Sequence, residues 1–447
     1  MNAFERKGTF SLAGIYGLRM VGLFMILPVF SLYAEGLQDV TPTLIGLALG
    51  IYGLTMAAFQ IPFGMMSDRY GRKPVIVVGL LIFAIGSVVA ATADSIWGVI
   101  VGRALQGAGA IAAAMMALLA DLTREDHRTK AMGIMGVSIG MSFMLALILG
   151  PFLDNIIGVQ GIFWLTAVLA ILAIGVLYLI VPNPVEVHSH RDVQTVPAKL
   201  KQVLGDKQLL RLDIGILIQH AVMMAMFTAL PFVLRDYLHL PSSEHAWFYL
   251  PVLVLAIFGM VPMIIIAEKR RKMKEVFIFS IILMAASELA LGFMHTSWWA
   301  VAIGLFVFFV AFNVLEATLP SLISRMAPVD GKGTAMGVYS TSQFFGAFLG
   351  GAGGGWIYGH LGLEGVFFAC VAIIAIWFLF SLGMKMPAYL NLVMLRVQPH
   401  HQQEDIGAKL LALAGVHEAQ FVLEDEVVYL RVDKATFDME QAEAIVK

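Results

Sequence analysis

Charge is scarce in this chain. Asp, Glu, Lys and Arg make up only 13 % of its 447 residues, about half the share of an ordinary soluble domain, against 59 % hydrophobic residues. That balance excludes a water-soluble body and requires a protein that crosses the membrane many times. Basic residues are in no excess either: 29 Lys and Arg stand against 31 Asp and Glu, so there is no global positive field and nucleic acid is excluded as a partner. Cysteine is almost missing. Cys370 alone lies inside an apolar run, which rules out an intramolecular disulfide. The chain has no GxxxxGK phosphate loop, no HExxH zinc pair and no nucleophile elbow, so neither an ATPase nor another enzyme is expected, and no cofactor or metal with it.

What the chain has in abundance is long apolar runs. A bilayer core takes roughly 20 apolar residues per helix. On that measure spans fall near 9–34, 44–67, 74–92, 96–119, 131–152 and 162–181, then near 212–234, 246–267, 276–294, 298–324, 334–358 and 364–384. The first span follows Arg6 and Lys7 as a signal peptide would, but it is too long, lacks a small-residue cleavage site and carries Arg19 midway, so it reads as a retained helix. Basic residues in short loops stay on the cytoplasmic side. One set of loops holds Arg6, Lys7, Arg69, Arg72, Lys73, Arg124, Arg128, Lys130, Lys269 to Lys274, Arg325 and Lys332, while the opposite set holds only Arg235. Both termini and the central linker are therefore expected in the cytoplasm.

The two halves repeat each other. Leu27-Pro28 corresponds to Leu230-Pro231, Pro62 and Asp68 to Pro262 and Glu268, and Ala131-Met132-Gly133 to Ala335-Met336-Gly337, at offsets of 203, 200 and 204. Three anchors in near-constant register predict a twofold-repeated membrane fold with its binding site between the repeats near mid-membrane. The expected fold class is all-α membrane, twelve transmembrane helices in two six-helix repeats, with a small α+β ferredoxin-like cytoplasmic domain. The domains are 1–184, a cytoplasmic linker 185–211, 212–386, and a tail 387–447.

The loop between the second and third spans reads Gly64, Ser67, Asp68, Arg69, Gly71, Arg72, Lys73. Gly71 permits a tight reversal. Asp68 stands where a carboxylate can face the positive end of a helix, worth about 0.3–1 kcal/mol when exposed, and Arg72 can grip an acid bidentately. Helix four carries Gly102, Arg103, Gln106, Gly107 and Gly109, with Arg103 about 10 Å inside its span by helical rise. Helix five carries Gly136, Gly140, Gly150 and Pro151. Over residues 9–384 these motifs resemble the major facilitator superfamily, in its drug/proton antiporter branch. The resemblance implies that Asp68 meets the start of helix eleven, at Gly333 and Thr334, that Arg72 meets Asp121, and that this cluster latches the cytoplasmic gate. It also implies a proton-coupling role for Arg103 and an antiporter's helix five. Ala146, Asp154 and Asn155 depart from that helix-five pattern, which leaves import open, and Arg271 replaces glycine in the second copy of the loop, which puts a matching second latch in doubt.

Ionisable groups inside spans are functional hypotheses by default. They are Arg19, Arg103, His220, Glu288 and Glu316. Aligning Pro28 with Pro231 puts Arg19 and His220 at similar depth, expected on opposite sides of a central cleft. Glu316, beside Asn313 and four residues before the helix-loosening Pro320, is the leading proton carrier. Helix packing is the alternative for Glu316, as it is for His220 and for Glu288 on a peripheral helix. Tyr16, Tyr52, Gln60, Gln219, Asn313, Tyr339 and Gln343 are candidate cavity residues.

From Pro387 the composition turns soluble, and the apolar spacing predicts strand, helix, strand, strand, helix, with an acidic turn at Glu424 to Glu426. The tail resembles a heavy-metal-associated domain without its Cys pair, which excludes thiolate metal handling; His400, His401 and His417 read as solvent-facing rather than as ligands. Regulation of the gate, self-association and stabilisation are its open roles. In the linker, Lys199 to Arg211 can form a basic amphipathic helix on the inner leaflet, or a solvated connector. The whole pattern resembles a bacterial inner-membrane subgroup of the superfamily. It implies a monomeric secondary transporter that exchanges protons for small amphipathic compounds across the lipid bilayer; a proton-coupled importer and a membrane sensor signalling through the tail are the alternatives.

Overall fold

The computed structural model describes residues 1–183, 197–328, 331–385, 391–396, 403–422, 427–433 and 436–446. They form two compact units, Met1–Met384 and Lys385–Lys447. In the first unit the helices are α1 (Ala3–Phe24), α2 (Phe30–Ala34), α3 (Pro42–Tyr70), α4 (Arg72–Ala91), α5 (Ile96–Ala108), α6 (Ala112–Asp121), α7 (Glu125–Leu179), α8 (Pro197–Gly205), α9 (Lys207–Phe232), α10 (His245–Lys269), α11 (Met273–Met294), α12 (Trp298–Met326) and α13 (Lys332–Leu382). Helix α9 runs on into a π-helical turn, Val233–Tyr237. Side-chain caps start several of them: Asn2 and Glu5 make a capping box on α1, Thr41 caps Leu44 N–H ahead of Pro42, and Asp206 accepts from Gln208 and Leu209.

Nine helical stretches among the described residues are long and apolar enough to cross a membrane. Helix α1 is not among them, since Glu5, Arg6, Lys7 and Arg19 crowd its 22 residues. Helices α7 and α13, at 55 and 51 residues, would each run about 80 Å, far beyond a 30 Å hydrocarbon core. Each turns midway at a glycine: Gly158 has φ 69° and ψ 170°, Gly362 has φ 73° and ψ −173°. No other residue takes that conformation cheaply. Each long stretch is thus two helices that meet at a non-helical glycine, as the separate spans read from the sequence at 131–152 and 162–181, and at 334–358 and 364–384, expected. The run 96–119 instead breaks at Gly109 to Ile111, between α5 and α6, and 9–34 breaks at Met25 to Val29, ahead of α2. In the linker the amphipathic helix stops at Gly205, because Asp206 caps a new helix that absorbs Lys207 to Arg211.

Helix α13 is the seam of this unit. A Cβ on Gly346 or Gly350 would strike the carbonyl oxygen of Leu217 or Ala221 on α9, and one on Gly351 or Gly355 would strike Gly46 on α3. Small residues let backbones approach this closely, and in lipid that packing supplies the association energy that water would otherwise drive. At the chain's start, Glu5 ties α1 to the α6–α7 connection: its carboxylate accepts from Asn2 N–H (2.7 Å), Arg124 N–H (3.2 Å) and Arg124 Nε (3.1 Å), with His127 Nδ1 at 3.1 Å.

The second unit is β1 (Asn391–Arg396), α14 (Gln403–Leu411), β2 (Val416–Val422), β3 (Val427–Val432) and α15 (Met439–Val446), in the element order read from the sequence. Its sheet runs β1-β3-β2, antiparallel throughout, with Leu395, Val428, Leu430 and Val432 packed under Ile406, Leu410, Ala442 and Val446. Val397, His400, His401 and Glu424 to Glu426 lie outside the described residues.

Gly350→Ala, which drives a methyl into the Ala221 backbone, is expected to cost about 3 kcal/mol or more. Gly353→Ala, with nothing within 4 Å, should be neutral or stabilise by up to about 1 kcal/mol through helix propensity. Thermal unfolding of both in detergent checks the contrast. For Glu5, burial raises the pKa, but the hydrogen bonds from Asn2, Arg124 and His127 outweigh it and hold the carboxyl at about 2, against the usual 4.5. A depressed pKa contributes stability above the unfolded value that is lost as pH falls through the folded one. The stability gap between the natural chain and Glu5→Gln should therefore hold from pH 7 to about 5 and close between about 4.5 and 2.

Candidate functional site

At the end that carries the basic loops, α3 stops at Tyr70 and α4 starts at Arg72, with Gly71 at φ 95° and ψ 151° making the reversal. This swings Arg72 back under α3. Its Nη1 donates to Ser67 Oγ at 2.9 Å and to the Asp68 carboxylate, and its Nε donates to Asp121 Oδ2 at 3.0 Å. Arg72 is buried, and the Asp121 carboxylate fully so. Lys73 donates to the Val181 carbonyl at 2.7 Å beyond the end of α7, while Arg69 lies outside over the Tyr70 ring. Gly64 lets Ala113 of α6 close in, and Gly333 and Thr334 are buried in the first turn of α13. The structure thus gathers Asp68, Arg72 and Asp121, with Ser67 as a further partner, while Lys73 ties to the end of α7 instead.

The second copy of this turn keeps a positive φ without its glycine. Arg271 takes φ 53° at the position of Gly71, and Glu268 accepts two hydrogen bonds from Arg325 Nη2, at 2.9 and 3.1 Å. Arg325 occupies the repeat position of Asp121, so the counterpart of Asp68 pairs with it directly, where in the first half Arg72 bridges Asp68 and Asp121. The replacement at Arg271 does not abolish the junction because a left-handed turn costs a non-glycine residue only about 1–2 kcal/mol.

The central cluster joins three helices. Glu316 on α12 accepts from Gln219 Nε2 of α9 at 3.0 Å and from Gln343 Nε2 of α13 at 3.2 Å, and His220 Nε2 lies 3.9 Å from it. Gln343 Nε2 is 2.9 Å from His220 Nε2, while His220 Nδ1 faces the Ile216 carbonyl. Gln219 also donates to the Phe312 carbonyl, and Phe312 stacks on Phe143 of the other half at 5.9 Å. The Glu316 side chain keeps 35 % exposure although Gln219 beside it has none. It opens onto free space rather than into packed core. Asn313, one turn away on α12, is half-buried.

The interior arginines belong to a different arrangement. Arg103 Nη1 donates to Gln106 Oε1 at 2.9 Å, and its Nε reaches the Ala48 carbonyl at 3.4 Å; its guanidinium lies 5.3 Å from the Tyr52 ring, and Gln106 passes the chain on to Ser87. Arg19 Nη2 donates at 2.9 Å to the Gly109 carbonyl in the α5–α6 break, which also accepts from Ile111 N–H at 3.0 Å, and rests against Met56 and the Phe83 ring. Both are 2 % exposed. Arg19 is thus held at the α5–α6 break, and His220 by Ile216 and Gln343. On helix five the glycines divide. Gly136 and Gly140 meet nothing within 4 Å, whereas Gly150 packs on the Met25 carbonyl and Pro28, with buried Pro151 beside it.

Two groups escaped the sequence reading. Asp213, 4 % exposed on α9 with a buried Oδ1 that has no partner, sits among the charges of a helix start, which masked it as a loop residue. Glu5 looked like part of a polar terminus, and only the capping-box spacing from Asn2 could have marked it. Glu288 is fully buried in α11 with both carboxyl oxygens unpartnered, and His417 is exposed on β2.

Comparisons with known proteins agree with this architecture. The profile of the Major Facilitator Superfamily matches residues 12–274 and 269–404. The Escherichia coli protein named inner membrane transport protein YajR is 46 % identical over 446 residues, which is 99 % of this chain and 98 % of that one. Yersinia enterocolitica multidrug resistance protein MdtH is 25 % identical over 347 residues, 76 % of this chain and 84 % of its own. Among solved structures, an inward-facing, occupied bacterial homologue of the lysosomal transporter Spinster superposes with a TM-score of 0.72 at 15 % identity, covering 86 % of this chain and 97 % of its own. Human organic anion transporter MFSD10 superposes with 0.62 at 16 % identity, covering 85 % and 100 %. With its hinged repeats, glycine seam and buried Arg72–Asp121 junction, this chain belongs to the major facilitator superfamily of secondary transporters.

Proposed function

We propose that the chain is a proton-coupled exporter of small amphipathic compounds, working by alternating access between halves 1–184 and 212–386 joined by the linker 185–211. Glu316 is the observation that carries the reading. It is an ionisable group on an interior helix, held by two amides, near His220 and open to free space. A carboxyl so placed can take a proton from one side and release it to the other as the accessible space changes sides. The two amides donate to the carboxylate and can turn to accept from the acid, so neither state is left without partners. His220 and Asn313 sit within the same neighbourhood. Arg103 and Arg19 act at a distance, by fixing the first half against which the second moves.

The name of the MdtH relative supports a drug-like substrate, and that of YajR supports a bacterial inner-membrane location. The basic loops support cytoplasmic termini. Twelve crossings follow if α7 and α13 each cross twice and α1 with α2 crosses once. The tail, 387–447, is read as ferredoxin-like, its β1-β3-β2 order being that fold's without a fourth strand, and as a route to self-association of an otherwise monomeric transporter. Asp68, Arg72 and Asp121, with Gly333 and Thr334, are read as the latch of the cytoplasmic gate.

In proteoliposomes under an imposed pH gradient, tested with cationic and neutral amphipathic dyes, Glu316→Gln is expected to lose proton-driven flux and keep dye counterflow. Full pH-driven transport by that variant would exclude Glu316 as carrier, and accumulation in the opposite direction would make the chain an importer. Asp121→Ala is expected to cost about 3 kcal/mol, the low end for a broken buried pair, because Ser67 and Asp68 still hold Arg72. Thermal unfolding checks it. Replacing Arg72 and Asp121 together by leucine should cost less than Asp121→Ala alone.

A further inference from the structure

At the end opposite the basic loops, one arginine is shared between two acids, and only one of the two pairings crosses the halves. Arg235 lies in the π-helical turn after α9, its guanidinium 5.4 Å from the Phe232 ring. Its Nε donates to Asp236 Oδ1 at 2.6 Å and its Nη2 to Asp236 Oδ2 at 3.1 Å. The same guanidinium reaches Glu35, just beyond α2 in the other half, Nη1 donating to Oε2 and Nη2 to Oε1 at 3.3 Å. Around it the halves are in contact: Ser31 Oγ donates to the Phe227 carbonyl at 3.3 Å, and Gly359 of α13 lies against Pro42 of α3.

The turns that present these residues are irregular at matching positions. Helix α1 breaks at Met25 to Val29 around Pro28, and α9 widens to a π-helix just after Pro231, the repeat counterpart of Pro28. Prolines loosen both helices there, so the segments beyond them can tilt without unwinding the spans. Glu35 and Arg235 ride on those segments.

We infer that Glu35 and Arg235 form a reversible latch that favours closure of this end, and that Asp236 is the stand-by partner which keeps Arg235 paired when the latch opens. The inference rests on the alternating-access reading. An exposed ion pair adds little to the stability of a fold. A contact made in only one of two conformations, however, shifts their ratio by its whole strength. Arg235 is never stranded, because Asp236 is its neighbour in the chain and stays with it in either state. The two acids therefore compete for one cation, and neutralising them should push the equilibrium in opposite directions.

The test uses the full chain in lipid nanodiscs, with spin labels on Gln38→Cys and Ser243→Cys in a Cys370→Ser background, and pulsed electron–electron distance measurement to count closed and open populations. Glu35→Gln should raise the open-to-closed ratio about three- to tenfold, and Asp236→Asn should lower it. The swapped pair Glu35→Arg with Arg235→Glu should return the ratio toward the natural one, which separates a lost pair from a damaged fold. Unchanged populations in Glu35→Gln, or a shift of both neutral variants in the same direction, would overturn the latch. A single distance in every variant would instead remove the alternating-access reading on which it stands.

Discussion

The backbone-to-backbone seam along the first part of α13 is the constraint on which the rest depends. Gly346 and Gly350 admit α9 from their own half, and Gly351 and Gly355 admit α3 from the other, so one helix face is shared between an internal contact and the contact between halves. In hydrocarbon there is no hydrophobic gain from bringing helices together, and close dispersion packing has to supply it. Side chains on that face would separate the helices by several ångströms. Because Gln343 is carried on the same helix, the seam also sets its distance from Glu316 and His220. Glycines on a rubbing surface hold by fit rather than by interlocked knobs, which suits a contact that must move.

A second constraint governs the charges. In a low-dielectric interior a cation survives only against partners that cannot leave. Arg103 and Arg19 use carbonyls and aromatic faces of their own half, and Arg72 uses Asp121 and Asp68, so each is anchored to elements that move as one body. Glu316 differs in kind. Its partners are two neutral amides and an imidazole, groups that tolerate either protonation state. A fixed charge needs fixed partners, whereas a group that is to change protonation state must keep partners that suit both states. That contrast, more than depth in the membrane, sets Glu316 apart from the arginines.

Much of this was legible in the sequence because the informative residues break apolar monotony. Pro28 and its counterpart Pro231, the Gly71 turn, Arg72 and Glu316 each stand out against a uniform background, and the structure pairs Arg72 with Asp121, as the resemblance implied, and Glu316 with Gln219 and Gln343. Legibility failed where the background was itself polar. Asp213 and Glu5 lie at helix starts, where an acid is ordinary, and nothing local distinguishes a solvated carboxylate from a buried one. Direction was not legible either: Arg19 and His220 share a depth in the repeat, but rotation about a helix axis is set by neighbours, here the Gly109 carbonyl for Arg19. The reversals inside α7 and α13 were legible as breaks in hydropathy: Gly158 and Gly362 take non-helical φ and ψ where one apolar span ends and the next begins.

The repeat is faithful in backbone and unfaithful in charge. Gly158 and Gly362 share a conformation 204 residues apart, and Gly71 and Arg271 both turn through positive φ 200 apart. Yet the positions that correspond to His220 and Glu316, at the offsets of 203 and 204, are Gly17 and Ala112, and that of Asn313 is Gly109. The first half therefore has no titratable counterpart of the central cluster. It answers with arginines tied into its own frame. Had both halves carried an acid at the same depth, two carboxyls would face the same narrow space and each would resist the ionisation of the other. A single carboxyl on one half, opposed by the apolar wall that Phe143 contributes through Phe312, is spared that interference. The symmetry of the fold supplies two equivalent halves, and the asymmetry of the charges, on the proposed mechanism, assigns the proton to only one of them.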